Sequence, residues 1–135
     1  MYQYLTVRSD ERHGGSVRAG ALVAYLDSVP GLRRTDAASY RAREDRPWLD
    51  VTLAACGGTG GYAVFAGRVP ERVDVVELVW SSADGAPAHA AARAVAAGIA
   101  DLLGWEVVDP DSDEVLYVGS AVAGAAEESG GPLPR

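Results

Sequence analysis

Apolar and polar residues alternate along several short stretches of the chain, which is the pattern of a strand with one buried face. The clearest case is residues 48–55, where leucine and valine alternate with Asp50 and Thr52. Residues 73–81 are apolar on both faces, which predicts a central strand that is covered on both sides or lies at a dimer contact. The same alternation predicts further strands over residues 2–8, 39–43, 62–66, 105–109 and 115–118.

Two other stretches carry their apolar residues at helical spacing. The first helix is predicted to begin behind Ser16, whose hydroxyl can cap the free N–H groups, and to end at Pro30. Its apolar face consists of Leu22, Tyr25, Leu26 and Val29. The second helix is predicted over residues 88–103, with Gly104 as its C-terminal stop. Its predicted buried stripe consists of Ala92, Val95, Ile99 and Leu102.

The predicted order of elements is a strand, a helix, four strands and a helix, followed by a terminal hairpin. Strands that follow one another without helices favour antiparallel pairing, so we expect an α+β fold with a mostly antiparallel sheet of about five strands. Both helices are expected on one face of that sheet, as a two-layer sandwich of the ferredoxin-like or a related type. Residues 1–118 are predicted to form a single domain. The low-complexity residues 119–135 are predicted to form a disordered tail.

Composition places the chain among ordinary globular domains. Of its 135 residues 48% are apolar, yet the longest apolar runs are far shorter than the roughly 20 residues that a membrane-spanning helix needs. The N-terminal residues lack the basic and apolar regions of a signal peptide, so we expect a cytoplasmic protein without membrane contact. The single cysteine, Cys56, excludes an intrachain disulfide bond and a cysteine-based metal cluster within one chain.

The net charge of −7 is distributed unevenly along the chain. Residues 1–72 carry ten arginines and eight acidic residues, a charge of +2, whereas residues 73–135 carry two arginines and eleven acidic residues, a charge of −9. An acidic protein repels the phosphate backbone, which argues against nucleic acid as a partner. The acidic half attracts a basic protein instead, although an acidic surface also serves solubility alone.

Six acidic residues of the C-terminal half lie within fourteen positions and have no arginine between them. We predict that they form the partner-binding surface of a non-enzymatic protein-interaction module, such as an immunity-like or accessory protein. The sequence leaves open whether the module also forms a homodimer. The predicted partner-binding residues are Asp101, Glu106, Asp109, Asp111, Asp113 and Glu114.

Catalytic and cofactor signatures are weak. Cys56 can be combined only with His89 or His13, and a cysteine at the end of an apolar strand is more often a core residue than a nucleophile. The glycine-rich residues 56–61 lack the lysine of a phosphate-binding loop and precede a predicted strand, so we interpret them as a hairpin turn. Residues 109–114 lack the glycine of a calcium-binding loop at its required position. We therefore predict no catalytic residue, no cofactor and no metal.

The alternative hypothesis is a dimeric small-molecule-binding or enzymatic domain whose ligand lies between the sheet and the helices. It depends on Glu77, a carboxylate inside an apolar strand, and on a basic cluster that can grip a carboxylate or phosphate. This cluster, which we equally expect to pair with the protein's own acids, consists of Arg33, Arg34, Arg41, Arg43 and Arg46. The predicted ligand-binding residues are Arg41, Arg43, Cys56, Tyr62, Glu77 and Trp80.

Overall fold

The structure, a computed structural model, describes residues 1–55 and 71–120. They form an α+β fold, as the sequence predicts. The helices are α1 (Ala19–Asp27) and α2 (Gly85–Leu103), and a short 3-10 turn (Ser82–Asp84) precedes α2. The strands are β1 (Tyr2–Arg8), β2 (Val17–Arg18), β3 (Leu32–Asp36), β4 (Ser39–Ala42), β5 (Leu49–Ala54), β6 (Arg72–Val73), β7 (Val75–Ser81), β8 (Glu106–Asp109) and β9 (Glu114–Val118). No helix in this described part of the chain has the length and apolar character needed to cross a bilayer.

Seven of the described strands form one sheet in the order β3-β4-β5-β7-β1-β8-β9, and every neighbouring pair is antiparallel. The prediction of a mainly antiparallel sheet is therefore confirmed. β7 lies in the middle of the sheet, which is the position that apolar residues on both faces predict. β2 and β6 pair separately as a short two-stranded ribbon.

The sheet contains more strands than the expected number of about five. The sequence pattern does not predict β3, because only Leu32 among its five residues is buried. An edge strand requires little alternation, since much of its surface is in contact with solvent. The hairpin of β8 and β9 adds two further strands to the same sheet. The strand predicted over residues 62–66 lies outside the described residues.

One hydrophobic cluster joins the sheet to both helices. The sheet contributes alternate residues, such as Val76, Leu78 and Trp80 of β7, and α1 contributes Leu22 and Leu26. The buried stripe of α2 consists of Ala88, Ala92, Ala96, Ile99, Ala100 and Leu103. Burial of this apolar surface is the main force that holds the helices on the sheet.

The stripe of α2 is displaced from its predicted position. Val95 and Leu102 were expected to be buried at its centre, but both are only half-buried at its margin. The reason is that alanines such as Ala92 and Ala96 let the helix backbone lie close to the sheet. The helix therefore contacts the sheet most closely along its alanines, and Val95 and Leu102 lie to the side of this contact.

Of the two residues that were predicted to cap or end a helix, Ser16 and Gly104, only Gly104 does so. α1 begins at Ala19, and the hydroxyl of Ser16 accepts a hydrogen bond from Arg72 Nε at 2.8 Å instead of capping the helix. α2 ends as predicted, because Gly104 adopts the left-handed conformation, with φ 72° and ψ 30°.

Pairing between β1 and β8 covers only half of β1. Thr6, Val7 and Arg8 pair with β8, which ends at Asp109. On this side, residues 2–5 have no neighbouring strand within the described part of the sheet, whereas their other side pairs with β7. This gap opens a cleft at one end of the sheet.

Two residues of the predicted tail are bonded to the rest of the domain. The N–H of Gly119 donates to the carbonyl of Trp105 at 2.8 Å, and the N–H of Ser120 donates to Asp101 Oδ1 at 3.1 Å. Residues 121–135 lie outside the described residues, so the disorder of the tail stays a prediction.

Candidate functional site

Arg8 neutralises two of the six acidic residues that the sequence analysis assigns to a partner. It is only 8% exposed, and its Nε donates to Glu106 Oε2 at 2.9 Å while its Nη1 lies 3.2 Å from Asp113 Oδ1. Burial by itself lowers the pKa of an arginine. The hydrogen bond with Glu106 and the charge of Asp113 outweigh burial here, so the pKa of Arg8 is raised. Both acids are therefore paired within the protein, although the Asp113 side chain is 67% exposed.

Asp101 is also used within the protein. It lies in the last turn of α2, and its Oδ1 accepts hydrogen bonds from the Tyr117 hydroxyl at 2.7 Å and from the N–H of Ser120 at 3.1 Å. These two bonds favour the charged carboxylate, so they lower the pKa of Asp101. Asp101 thus ties the end of β9 to α2.

Three of the six acidic residues have neither an ion pair nor a side-chain hydrogen bond outside their own turn among the described residues: Asp109, Asp111 and Glu114. They lie in or beside the turn between β8 and β9, and no described residue forms a salt bridge with them. Asp109 Oδ1 accepts the N–H of Asp111 at 2.9 Å, and the Asp109 carbonyl accepts the N–H of Asp113 at 2.7 Å. Asp113 closes the turn with a φ of 61°. We call Asp109, Asp111 and Glu114 the acidic turn.

A cleft of about 220 Å³ lies between the acidic turn, the first half of β1 and the start of α2. Its walls include Tyr2 and Tyr4, which are 59% and 44% exposed, and Leu116 of β9. Asp109 and Asp111 line the same cleft. Carboxylates and aromatic rings both attract cations, so this combination suits a positively charged side chain. We call it the acidic cleft.

Trp80 forms the inner wall of the acidic cleft. It is 2% exposed, and its indole Nε1 is buried and has no hydrogen-bond partner. The exposed ring of His89, near the start of α2, stands edge-on to the indole, with 5.6 Å between the ring centres. A buried donor without a partner costs about 1–3 kcal/mol.

Three of the predicted ligand-binding residues, Trp80, Glu77 and Arg41, are divided between the two faces of the sheet. Trp80 belongs to the core that the helices cover. Glu77, three residues earlier on β7, faces the other way and accepts a hydrogen bond from the Thr6 hydroxyl at 2.6 Å. Arg41 lies on the same side as Glu77, opposite Asp50 in the register of β4 and β5. These residues are therefore not gathered in one pocket between the sheet and the helices.

The basic cluster is paired in part, and its acidic partners are close in sequence. Arg41 donates to the two carboxylate oxygens of Asp50 at 2.7 and 3.2 Å, and its guanidinium lies 5.9 Å from the ring centre of Trp48. Arg33 lies 3.9 Å from Glu44. Both acids belong to the N-terminal half, so the cluster does not neutralise the acidic turn among the residues that the structure describes.

Cys56 and Tyr62 lie outside the described residues, so their roles stay predictions. The two candidate bases belong to different elements, His13 to the loop after β1 and His89 to α2. His13 has a φ of 52°, and its buried Nδ1 has no hydrogen-bond partner. Within residues 1–55 and 71–120 no group of three His, Cys, Asp or Glu side chains is placed to hold a metal ion.

No protein-family model matches the chain, and neither the curated proteins nor the solved structures contain one that is significantly similar to it. The acidic cleft and its neighbouring residues are therefore the basis for inferring a function.

Sequence analysis does not identify Tyr2, Tyr4 and Leu116 as site residues. Two tyrosines on one face of a strand normally indicate a packed face, because aromatic residues bury a large area. They are exposed here because they project from the sheet face opposite the helices, where Tyr4 pairs with Val79 and not with a residue of the core cluster. The residue in the sequence that could have predicted the cleft is Pro110. Proline cannot donate to a strand ladder, so it ends β8 at Asp109 and leaves the first half of β1 without a neighbouring strand on that side.

Proposed function

We propose that this protein is a non-enzymatic protein-interaction module, of the immunity-like or accessory kind, whose acidic cleft binds a basic segment of a partner protein. The observation that carries the proposal is that Asp109 and Asp111, which have no ion pair among the described residues, line the same cleft as residues 1–5 at the uncovered half of β1. Three of the six predicted residues are removed from the partner-binding set, because they have partners inside the protein: Asp101, Glu106 and Asp113.

The charge of the acidic turn selects the partner. Three carboxylates on one turn, without a cation among the described residues, attract a basic segment and repel an acidic one. Because these groups lie at the rim of the cleft, they contribute more to the rate and specificity of association than to its final strength. The proposed binding therefore weakens as the salt concentration rises.

The aromatic residues of the cleft supply contact area. Tyrosine is enriched among the residues that dominate the energy of protein interfaces, because its rigid ring buries much surface at a small cost in entropy. The Tyr2 ring packs against Trp48, with 5.5 Å between the ring centres, whereas a lysine or arginine placed over the exposed ring of Tyr4 gains about 0.5–1 kcal/mol from the interaction of its charge with the ring.

The uncovered side of β1 has backbone N–H and C=O groups that are available for pairing with another strand. Residues 2–5 have no strand beside them there among the described elements, so an extended segment can add to the sheet by strand pairing. Side chains of such a segment alternate between the two faces of the sheet. We expect every second side chain to approach Trp80 and the others to approach Tyr4.

The test uses a synthetic peptide of ten residues in which arginine and valine alternate, and a second peptide with glutamine in place of each arginine. We expect only the arginine peptide to bind, with shifts of the amide signals of residues 2–5 and 109–116 in ¹H–¹⁵N spectra. Replacing Asp109 and Asp111 by Asn keeps the size and the hydrogen-bonding capacity of both side chains. This double variant is expected to weaken binding by about tenfold, the effect of roughly 1.4 kcal/mol.

The matched control replaces Glu11 and Asp45 by Gln and Asn, which removes the same charge from two exposed residues away from the cleft. We expect this control to bind the arginine peptide as the native protein does. Equal weakening by the two double variants contradicts the proposal, because it means that only net charge matters. Amide shifts confined to residues outside the cleft also contradict it.

We further propose that the fold is the predicted two-layer sandwich, of the ferredoxin-like or a related type. Its support is that both helices enter one hydrophobic cluster with one face of the sheet. We also propose that the protein is cytoplasmic, where the acidic cleft would meet basic segments of cytoplasmic proteins.

A further inference from the structure

A second cavity, of about 230 Å³, shares no lining residue with the acidic cleft. It lies between the middle of α2 and the adjoining ends of β3, β4 and β5. Its walls are apolar, with Ala91 and Val95 on the helix side and Leu32 and Leu49 on the strand side. The space exists because α2 presents small side chains here, at the margin of its buried stripe.

Arg46 is the one charged residue among those described that line this cavity. Its guanidinium lies against Gly31, where a Cβ atom would be only 2.8 Å from Nη1, so the absence of a side chain at Gly31 makes room for it. No described residue accepts a hydrogen bond from the Arg46 side chain or forms a salt bridge with it.

The other charged residues nearby are already engaged or face a different surface. Arg43 donates from Nε to the carbonyl of Pro30 at 2.8 Å. Arg33 and Glu44 lie 3.9 Å apart and line, with Asp45, a separate shallow depression. The apolar cavity therefore presents a single positive charge with unused donors at its wall.

We propose that this cavity binds a small apolar monocarboxylate, whose carboxylate pairs with Arg46 and whose hydrocarbon body lies between α2 and the strands. The planar fork of one guanidinium matches the two oxygens of one carboxylate, and one negative charge balances the single positive charge. A phosphate dianion fits less well, because its second charge is left uncompensated against an apolar wall.

The volume limits the ligand to a small one. An apolar cavity of about 150 Å³ is large enough for benzene. The cavity beside Arg46 is somewhat larger, at about 230 Å³. It therefore accommodates a hydrocarbon body of roughly six to eight carbon atoms, which excludes long-chain fatty acids as fully enclosed ligands.

The test titrates the full protein with octanoate and, in parallel, with octanamide, which has the same chain but no charge. Octanoate is expected to bind saturably and to shift the amide signals of Gly31, Leu32 and Val95. Replacing Arg46 by Gln is expected to lower the affinity for octanoate by about tenfold and to leave the affinity for octanamide unchanged, because only the charge-assisted hydrogen bonds are lost.

Two further variants separate charge from shape. Arg18→Gln removes another exposed arginine, which does not line the cavity, and we expect it to leave octanoate binding unchanged. Ala91→Leu fills the cavity and is expected to abolish binding of both compounds. Equal affinity of Arg46→Gln and the native protein for octanoate overturns the proposal, as does equal binding of octanoate and octanamide. Octanoate binding is also expected to persist in the Asp109→Asn/Asp111→Asn variant, so the two proposals fail independently.

Discussion

Tyr40 shows how a single polar group links two elements of this fold. It lies on β4 and is 1% exposed, and its hydroxyl lies 2.8 Å from Asp27 Oδ1 and 3.3 Å from the carbonyl of Val23. Both acceptors belong to α1, so the hydroxyl fastens this helix to the sheet. Burial and the hydrogen bond with Asp27 both favour the neutral hydroxyl, and together they raise the pKa of Tyr40 to about 12.

Replacing Tyr40 by Phe is expected to lower the free energy of unfolding by about 1–2 kcal/mol near pH 7, because the bond to Asp27 is lost. The pKa is raised in the folded state, so the contribution of the hydroxyl is fully present below the ordinary value of 10.0 and is lost as the pH rises towards about 12. Urea unfolding near pH 7 and near pH 11 measures both effects. The native protein is expected to lose more stability over this interval than the variant does.

Tyr4→Phe is the control for this prediction. Tyr4 is 44% exposed, and its hydroxyl has no hydrogen-bond partner among the described residues. We expect its replacement to change the free energy of unfolding by less than about 0.5 kcal/mol. A similar loss of stability at the two positions contradicts the role assigned to Tyr40.

At the level of the elements, each helix has a glycine, and the two glycines have opposite effects on stability. Gly104 ends α2 with φ 72°, a conformation that strains any residue with a Cβ atom. Gly20 lies inside α1, where an added Cβ atom meets nothing within 4 Å. The first glycine is required by its backbone conformation, whereas the second only weakens its helix.

Gly104→Ala is therefore expected to lower the free energy of unfolding by about 1 kcal/mol, the cost of a left-handed alanine. Gly20→Ala is expected to raise it by roughly 0.5–1 kcal/mol, because alanine loses less conformational freedom in a helix. Thermal unfolding of both variants beside the native protein measures the difference. Changes of the same sign contradict this account of the helix ends.

At the scale of the whole molecule, Arg8 connects the slightly basic first half of the chain to the acidic second half. Its side chain is 10% exposed, and that of its partner Glu106 is 20% exposed. The pair of Arg41 and Asp50 has similar geometry but is more open, with side chains 47% and 27% exposed. Solvent screens the second pair, so its contribution to stability is expected to be smaller.

Arg8→Gln is expected to lower the free energy of unfolding by about 2–3 kcal/mol, because Glu106 is left as a partly buried, uncompensated charge. Arg41→Gln, the matched control, is expected to lower it by less than about 1 kcal/mol. Urea unfolding at one pH compares the two, and equal losses contradict the distinction. Arg8→Gln also frees two carboxylates beside the acidic turn, so we expect the folded variant to bind the arginine peptide more tightly than the native protein.

The sequence predicts the elements of this protein better than it predicts their boundaries or their surroundings. Alternation identifies β1 and β5, because residues on a buried strand face must be apolar at every second position, and a continuous apolar run identifies the central strand β7. It does not identify β3, since an edge strand with exposed arginines has no such requirement. Ser16 has the chemistry of a helix cap but bonds to Arg72, a choice that only tertiary contact makes.

The candidate site also combines features that the sequence predicts with features that it does not predict. The α+β class, the antiparallel sheet and the cluster of six acids are predictable from the sequence, because periodicity, turn residues and charge are local properties. Which of these acids find a partner in another element depends on tertiary contacts. Arg8 and Glu106 are separated by 98 positions in the chain, and no local pattern connects them. Pairing of β1 with β8 brought them together on neighbouring strands, and the early end of β8 left the acidic turn beside the uncovered half of β1.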